Sequence, residues 1–188
     1  MPIDKADRPR VIVQSIIWVA IPFTLFPISQ QLINSALAWM LNGGMPIFAA
    51  AIASLMLRRL PRGTHLAGVA VGFVGVVAIA SPSLGEGSSE ALGVALVLLA
   101  TVCYGLAVTI ATPVQQRYGS LPVMGRMLGL AAIWTAPFGI WEALDSSWRL
   151  DSFIAVAVAG VLGTGLAFVI MGSLAGRVGA TRASFITY

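Results

Sequence analysis

The chain reads as a series of long apolar runs separated by short polar gaps. The runs are Val11–Ile28, Leu32–Leu57, Leu66–Ser81, Ala91–Val114, Val123–Leu144 and Ser152–Leu174. Crossing a hydrocarbon layer roughly 30 Å thick takes about 20 helical residues, and each run meets or approaches that length. The only acid or base inside them is Glu142 or Arg126, each close to a run's end. A backbone in lipid must satisfy its polar groups internally, so the crossings are helices or strands of a closed barrel. The runs lack strict two-residue alternation and are about twice too long for barrel strands. The pattern predicts an all-α integral membrane protein, a multi-span helical bundle with six crossings.

Composition strengthens that reading. Of 188 residues, 58% are hydrophobic and 10% charged, with a mean hydropathy of +0.92. Such a chain has too few charges to coat a soluble surface. The charges it has alternate from gap to gap. Lys5, Arg8 and Arg10 precede the first run, and Arg58, Arg59 and Arg62 follow the second. Arg117 and Arg126 follow the fourth, and Arg177 and Arg182 the sixth. Only Arg149 of the eleven Lys and Arg residues falls in the other gaps, which hold Glu86, Glu90, Asp145 and Asp151. Cytoplasmic loops carry the Lys/Arg excess. Both termini and the loops 58–65, 115–122 and 175–182 are therefore expected in the cytoplasm, with 82–90 and 145–151 outside, in a bacterial plasma membrane. The same placement accounts for the net charge of +4. No basic helix face or run remains for binding nucleic acid.

The ionisable groups that enzymes need are missing from the runs. His65, the only histidine, lies at a loop edge, and Cys103 is the only cysteine. No carboxylate pair, metal-ligand spacing or nucleotide-binding loop occurs. Gly160, Gly163 and Gly165 have the wrong order for a dinucleotide fingerprint. Helix packing is the better reading for them. These absences argue against an enzyme, against ATP hydrolysis and against any bound metal or cofactor.

What the runs do contain is breaks: Pro22 and Pro27, Asn42-Gly43-Gly44-Met45-Pro46, Pro113 and Pro137. A proline inside a helix leaves the carbonyl four residues earlier without a donor. For Pro46 that carbonyl is Asn42's, and Asn42 adds a side-chain amide about ten residues, or roughly 15 Å, into its run. Interrupted helices near the midplane are the sequence pointer to a transporter's binding site. Asn42 is thus the first candidate for the wall of a substrate cavity. Trp39, Tyr104 and Trp134 are further candidates, because a deep N–H or O–H needs a polar partner. Trp141 and Trp148 flank an outer gap like an interfacial belt. Gly68 with Gly72, and Gly172 with Gly176, have the spacing of close helix contacts.

Residues 23–43 can be laid on 168–188 at an offset of 145, with Phe23 meeting Phe168 and Ala38 meeting Ala183. Five crossings separate the two segments, so the second runs in the opposite direction. This is the pattern of an inverted repeat. Gln30–Ala38, Leu41-Asn42, Pro46 and Leu66–Ile79 resemble the end of an EamA domain. Leu92–Tyr188, closing on Gly179-Ala180-Thr181-Arg182-Ala183-Ser184, resembles the start of a second. The chain is thereby similar to the drug/metabolite transporter superfamily, in which two such repeats make ten helices.

The resemblance implies an organisation and a function. Residues 1–82 would be the C-terminal part of a first repeat, 83–90 an external linker, and 91–188 the N-terminal part of a second. The chain would cover helices three to eight and the opening of the ninth. It would then be a fragment, completed by the missing helices or by self-association. The expected function is gradient-driven export of small metabolites or drug-like compounds by alternating access between the repeats. The alternative is a non-transporting membrane module whose only role is to bind a partner.

Overall fold

The computed structural model describes residues 3–57, 63–85, 88–144, 148–179 and 182, and all their regular structure is helical. Helix α1 spans Arg8–Ser29, with Pro9 in its first turn where no backbone donor is required. Asn34 then caps α2, Ser35–Asn42, its Oδ1 accepting from Leu37 N at 2.8 Å. Two glycines lead into α3, Met45–Leu57. Helices α4, α5 and α6 span Gly63–Gly85, Ser88–Tyr118 and Ser120–Leu144. Helix α7 is Leu150–Val178.

Among the described residues, five crossings are long and apolar enough to span a membrane: α1, the α2–α3 pair, α5, α6 and α7. The third expected crossing differs. Helix α4 has 23 residues, but its apolar stretch, Ala67–Pro82, is shorter than in the other five. The loop 58–62, the linker residues 86 and 87, residues 145–147 and the apolar opening at 183–188 lie outside the described residues.

Helix α5 is the axis of the bundle, in contact with each of the other helices. It meets α3 at Gly105. A methyl group at that glycine would lie 2.8 Å from Ala49 N and 3.0 Å from the Phe48 carbonyl carbon. Backbone thus packs on backbone, as small residues allow where lipid offers no hydrophobic drive to association. Beyond Tyr118 the chain reverses through Gly119 alone, whose φ of 83° lies in the left-handed region. Helices α5 and α6 are therefore an antiparallel hairpin. Gly72 and Gly172 are also at close contacts, against Ile47 and Ser120 respectively, whereas Gly68 faces open space.

Two cores result. One, towards the end of the bundle where the N-terminal bases lie, joins Val11, Trp18, Val108, Val114, Met124 and Ala175. The other, towards the opposite end, joins Ile33, Leu41, Val76, Val94 and Val97. Hydroxyls along the helices are satisfied by the preceding turn. Thr101 Oγ1 donates to Val97 O, Thr109 to Gly105 O and Thr112 to Val108 O, each at 2.8 Å. Large apolar side chains such as Val71, Phe138, Val156 and Val161 point outward, as a lipid-facing surface requires.

Two helices widen locally. In α1, Ser15–Ala20 is π-helical, and Ile21 N donates to Ile16 O, five residues back. Pro22, which supplies no donor to Trp18 O, follows at once. In α7, Ala159–Leu166 is π-helical as well. The offset of 145 carries Ser15–Ala20 onto residues 160–165, so the two widenings coincide in the repeat. The matched rings Phe23 and Phe168 lie 6.4 Å apart.

Candidate functional site

Asn42 ends α2, and the chain passes to α3 through Gly43 and Gly44. Gly43 N donates to Trp39 O at 3.1 Å and Gly44 N to Leu41 O at 3.0 Å. Pro46, in the first turn of α3, offers no N–H to the Asn42 carbonyl four residues back, and Gly43 and Gly44 occupy the turn between the two helices. Asn42 is buried, 8% exposed, and its Oδ1 has no hydrogen-bond partner. An amide oxygen left dry costs free energy.

The three aromatic candidates divide. Trp39 and Tyr104 flank Phe26, with ring centroids 6.1 and 6.0 Å away and both pairs inclined by 25°. These are offset-stacking distances, and they make a three-ring ladder across α1, α2 and α5. Trp39 is on its outer side, 64% exposed. Trp134 sits elsewhere. Its Nε1 donates to Ser15 Oγ at 3.0 Å, and Ser15 donates in turn to Ile12 O at 2.7 Å. That chain ties α6 to α1 at the start of the π-helical segment. Helix pinning is what the geometry gives Trp134, while Asn42, Trp39 and Tyr104 sit on or against the broken crossing.

Sequence reasoning passed over two other interior amides. Gln14 is fully buried with neither its Nε2 nor its Oε1 paired, and Gln115 keeps an unpaired Oε1. Gln115 Nε2 lies 3.7 Å from Met124 Sδ and faces Gly172 of α7. Both are uncharged, so a search for ionisable groups skips them. For Gln14, an amide inside an otherwise apolar run was the available signal; Gln115 follows the end of its run and read as a loop residue.

The two ends of the bundle are unlike. At the basic end, Arg117 and Tyr118 of α5 grip Asp4 and Asp7 ahead of α1. Arg117 donates to Asp4 Oδ2 at 2.8 Å and to Asp7 Oδ2 at 3.0 Å. The Tyr118 hydroxyl lies 2.8 Å from Asp7 Oδ2 and 3.0 Å from Asp4 Oδ2. Arg10 closes on Asp7 Oδ1 at 3.1 Å. At the opposite end, Gln30, Gln31, Asn34, Leu37 and Glu90 line a cavity of about 320 Å³ between the α1–α2 turn and the start of α5. A second, apolar hollow of about 570 Å³ lies between α1 and α6, among Val11, Ile12, Leu130 and Ile133. No cluster of three or more His, Cys, Asp or Glu side chains able to hold a metal occurs among the described residues.

Comparison with known proteins now decides what this bundle is. The sequence pattern of the EamA-like transporter family matches residues 2–81 and, a second time, 91–188. The chain belongs to the EamA-like transporter family. It is an integral membrane protein of the drug/metabolite transporter type, and its two family matches fall on either side of the α4–α5 link. An uncharacterized transporter from Archaeoglobus fulgidus is 25% identical over 132 residues, covering 70% of this chain and 46% of that protein. The match thus spans about half the length of that relative. No solved structure matches the chain.

Proposed function

We propose that this EamA-like chain forms the central part of a secondary transporter that exports small metabolites or drug-like compounds by alternating access. The observation that carries the reading is the broken crossing, with a buried and unpaired Asn42 beside it. Discontinuous helices with unsatisfied polar groups at membrane depth are the feature from which such binding sites are built. Matched π-helical segments in α1 and α7 support a rocking of one half against the other, since a widened turn is a weak point in a helix. The alternating bases favour a plasma-membrane orientation with the basic end in the cytoplasm. Energy comes from a solute gradient. Further helices, or a second copy, supply the length that the Archaeoglobus fulgidus relative has beyond its match.

Gradient-driven uptake into liposomes tests the reading. The transporter, extended to the length of its relatives, is reconstituted into liposomes with a proton or sodium gradient. A mixture of labelled L-amino acids and, separately, the lipophilic cation ethidium serve as probes. Saturable, gradient-dependent accumulation of at least one probe is expected. Accumulation equal to that of empty liposomes for all probes and both gradients counts against it.

A further inference from the structure

Helices α1 and α6 both start at the basic end and leave an apolar hollow of about 570 Å³ between them. Arg8, Val11 and Ile12 line one side of it, and Arg126, Leu130 and Ile133 the other. Each set has the three- and four-residue spacing that puts side chains on one helix face, with an arginine first in both. We propose that this groove seats one anionic phospholipid, with an acyl chain between α1 and α6 and the phosphate on Arg8 and Arg126. The inference goes beyond the transporter reading and does not depend on it.

Charge is the first observation. The acids nearest in sequence are already engaged: Asp4 holds Arg117, and Asp7 holds Arg117 and Arg10. Arg8 lies between these pairs and joins neither. Its Nε donates to the Ile3 carbonyl oxygen at 3.4 Å, a neutral acceptor that leaves the positive charge in place. Arg126 Nη1 donates to the Pro122 carbonyl oxygen at 3.1 Å. Both arginines are exposed, and guanidinium groups bind phosphate by charge-assisted hydrogen bonds. Shape is the second. Val11 is buried and Leu130 half-buried, whereas Ile12 and Ile133 are exposed, so the groove has an apolar floor and an open side. Gly129 makes room in it, since a Cβ there would meet nothing within 4 Å. Depth is the third: Arg126 to Ile133 is roughly 10 Å along the helix, enough for the first part of an acyl chain. Basic pockets between membrane helices are where anionic headgroups bind. A soluble anion would use the arginines without the groove, and a neutral lipid the groove without the arginines.

Lipid retention by the full chain tests the site. The protein is purified in mild detergent with equal amounts of dioleoyl phosphatidylglycerol and dioleoyl phosphatidylcholine, and bound lipid is counted by native mass spectrometry. One phosphatidylglycerol per chain should be retained, in roughly tenfold or greater preference to phosphatidylcholine. Arg8→Gln combined with Arg126→Gln should abolish that preference, whereas lysine at both positions should keep most of it. Gly129→Leu keeps the arginines and fills the groove, so it should lose both lipids. Its thermal midpoint without added lipid should stay near the parental value, because the new side chain starts in open space. Equal retention of the two lipids, or phosphatidylglycerol held alike by every variant, overturns the site in favour of an unspecific lipid shell. Displacement of the lipid by millimolar glycerol 3-phosphate would show a soluble-anion site instead and overturns it too. A chain extended to the length of its relatives that retains no phosphatidylglycerol would show another helix in the groove, which also refutes the proposal.

Discussion

Replacing Asn42 with leucine is expected to lower flux through the full-length transporter tenfold or more while leaving the protein as stable as before. The two halves of this expectation have one source. Asn42 Oδ1 is buried and unpaired, so the resting fold bears its desolvation cost without a compensating bond. Leucine is close in size and removes that cost. Thermal stability in detergent should therefore hold or rise. If a substrate supplies the missing partner, the variant loses that bond, and one such contact is worth about 1.4 kcal/mol, or tenfold. Flux at the parental rate, or flux lost together with stability, would reassign Asn42 to packing.

The opposite pattern is expected at Gly105. Gly105→Leu should leave little folded protein, read as aggregation in size-exclusion chromatography and a collapsed thermal midpoint. A Cβ there meets Ala49 N at 2.8 Å and the Phe48 carbonyl carbon at 3.0 Å. Both are backbone atoms of α3, so no side-chain rotation relieves the clash. The helices must separate, and the packing of Ala49, Ala107 and Val108 goes with them. Overpacking costs about 3 kcal/mol at the upper end of its usual range, roughly a hundredfold in the folded population. Gly139→Ala, at a helical glycine with open space around it, is the control. It should be neutral or stabilising by up to about 1 kcal/mol through helix propensity. A well-folded Gly105→Leu protein would show that α3 and α5 do not meet as described.

The fold was legible because lipid imposes a simple rule on sequence. A crossing needs a long apolar run, and Val11–Ile28, Ala91–Val114 and Ser152–Leu174 each fall within one helix of the structure. The break after Asn42 was legible too, in the two glycines and the proline that follow it. The matched π-helical segments were hidden, since a backbone register carries no residue signature of its own. Only two identical pairs, Phe23 with Phe168 and Ala38 with Ala183, marked the repeat in sequence. The aspartate–arginine–tyrosine cluster was hidden for another reason. Asp4, Asp7 and Arg117 are ordinary gap charges when read along the chain, and topology alone explains their positions. Their meeting depends on α1 and α5 packing antiparallel.

The claim beneath every functional statement is that the two halves cross the membrane in opposite senses with the basic end inside. Single cysteines at Lys5, Gln31, Ser88, Gly119 and Trp148, in the Cys103→Ala background, measure it in intact cells with an impermeant thiol reagent. Positions 31, 88 and 148 should label from outside, and positions 5 and 119 only after the membrane is permeabilised. Labelling of position 119 in intact cells, or protection of position 148 until permeabilisation, would contradict the inverted arrangement.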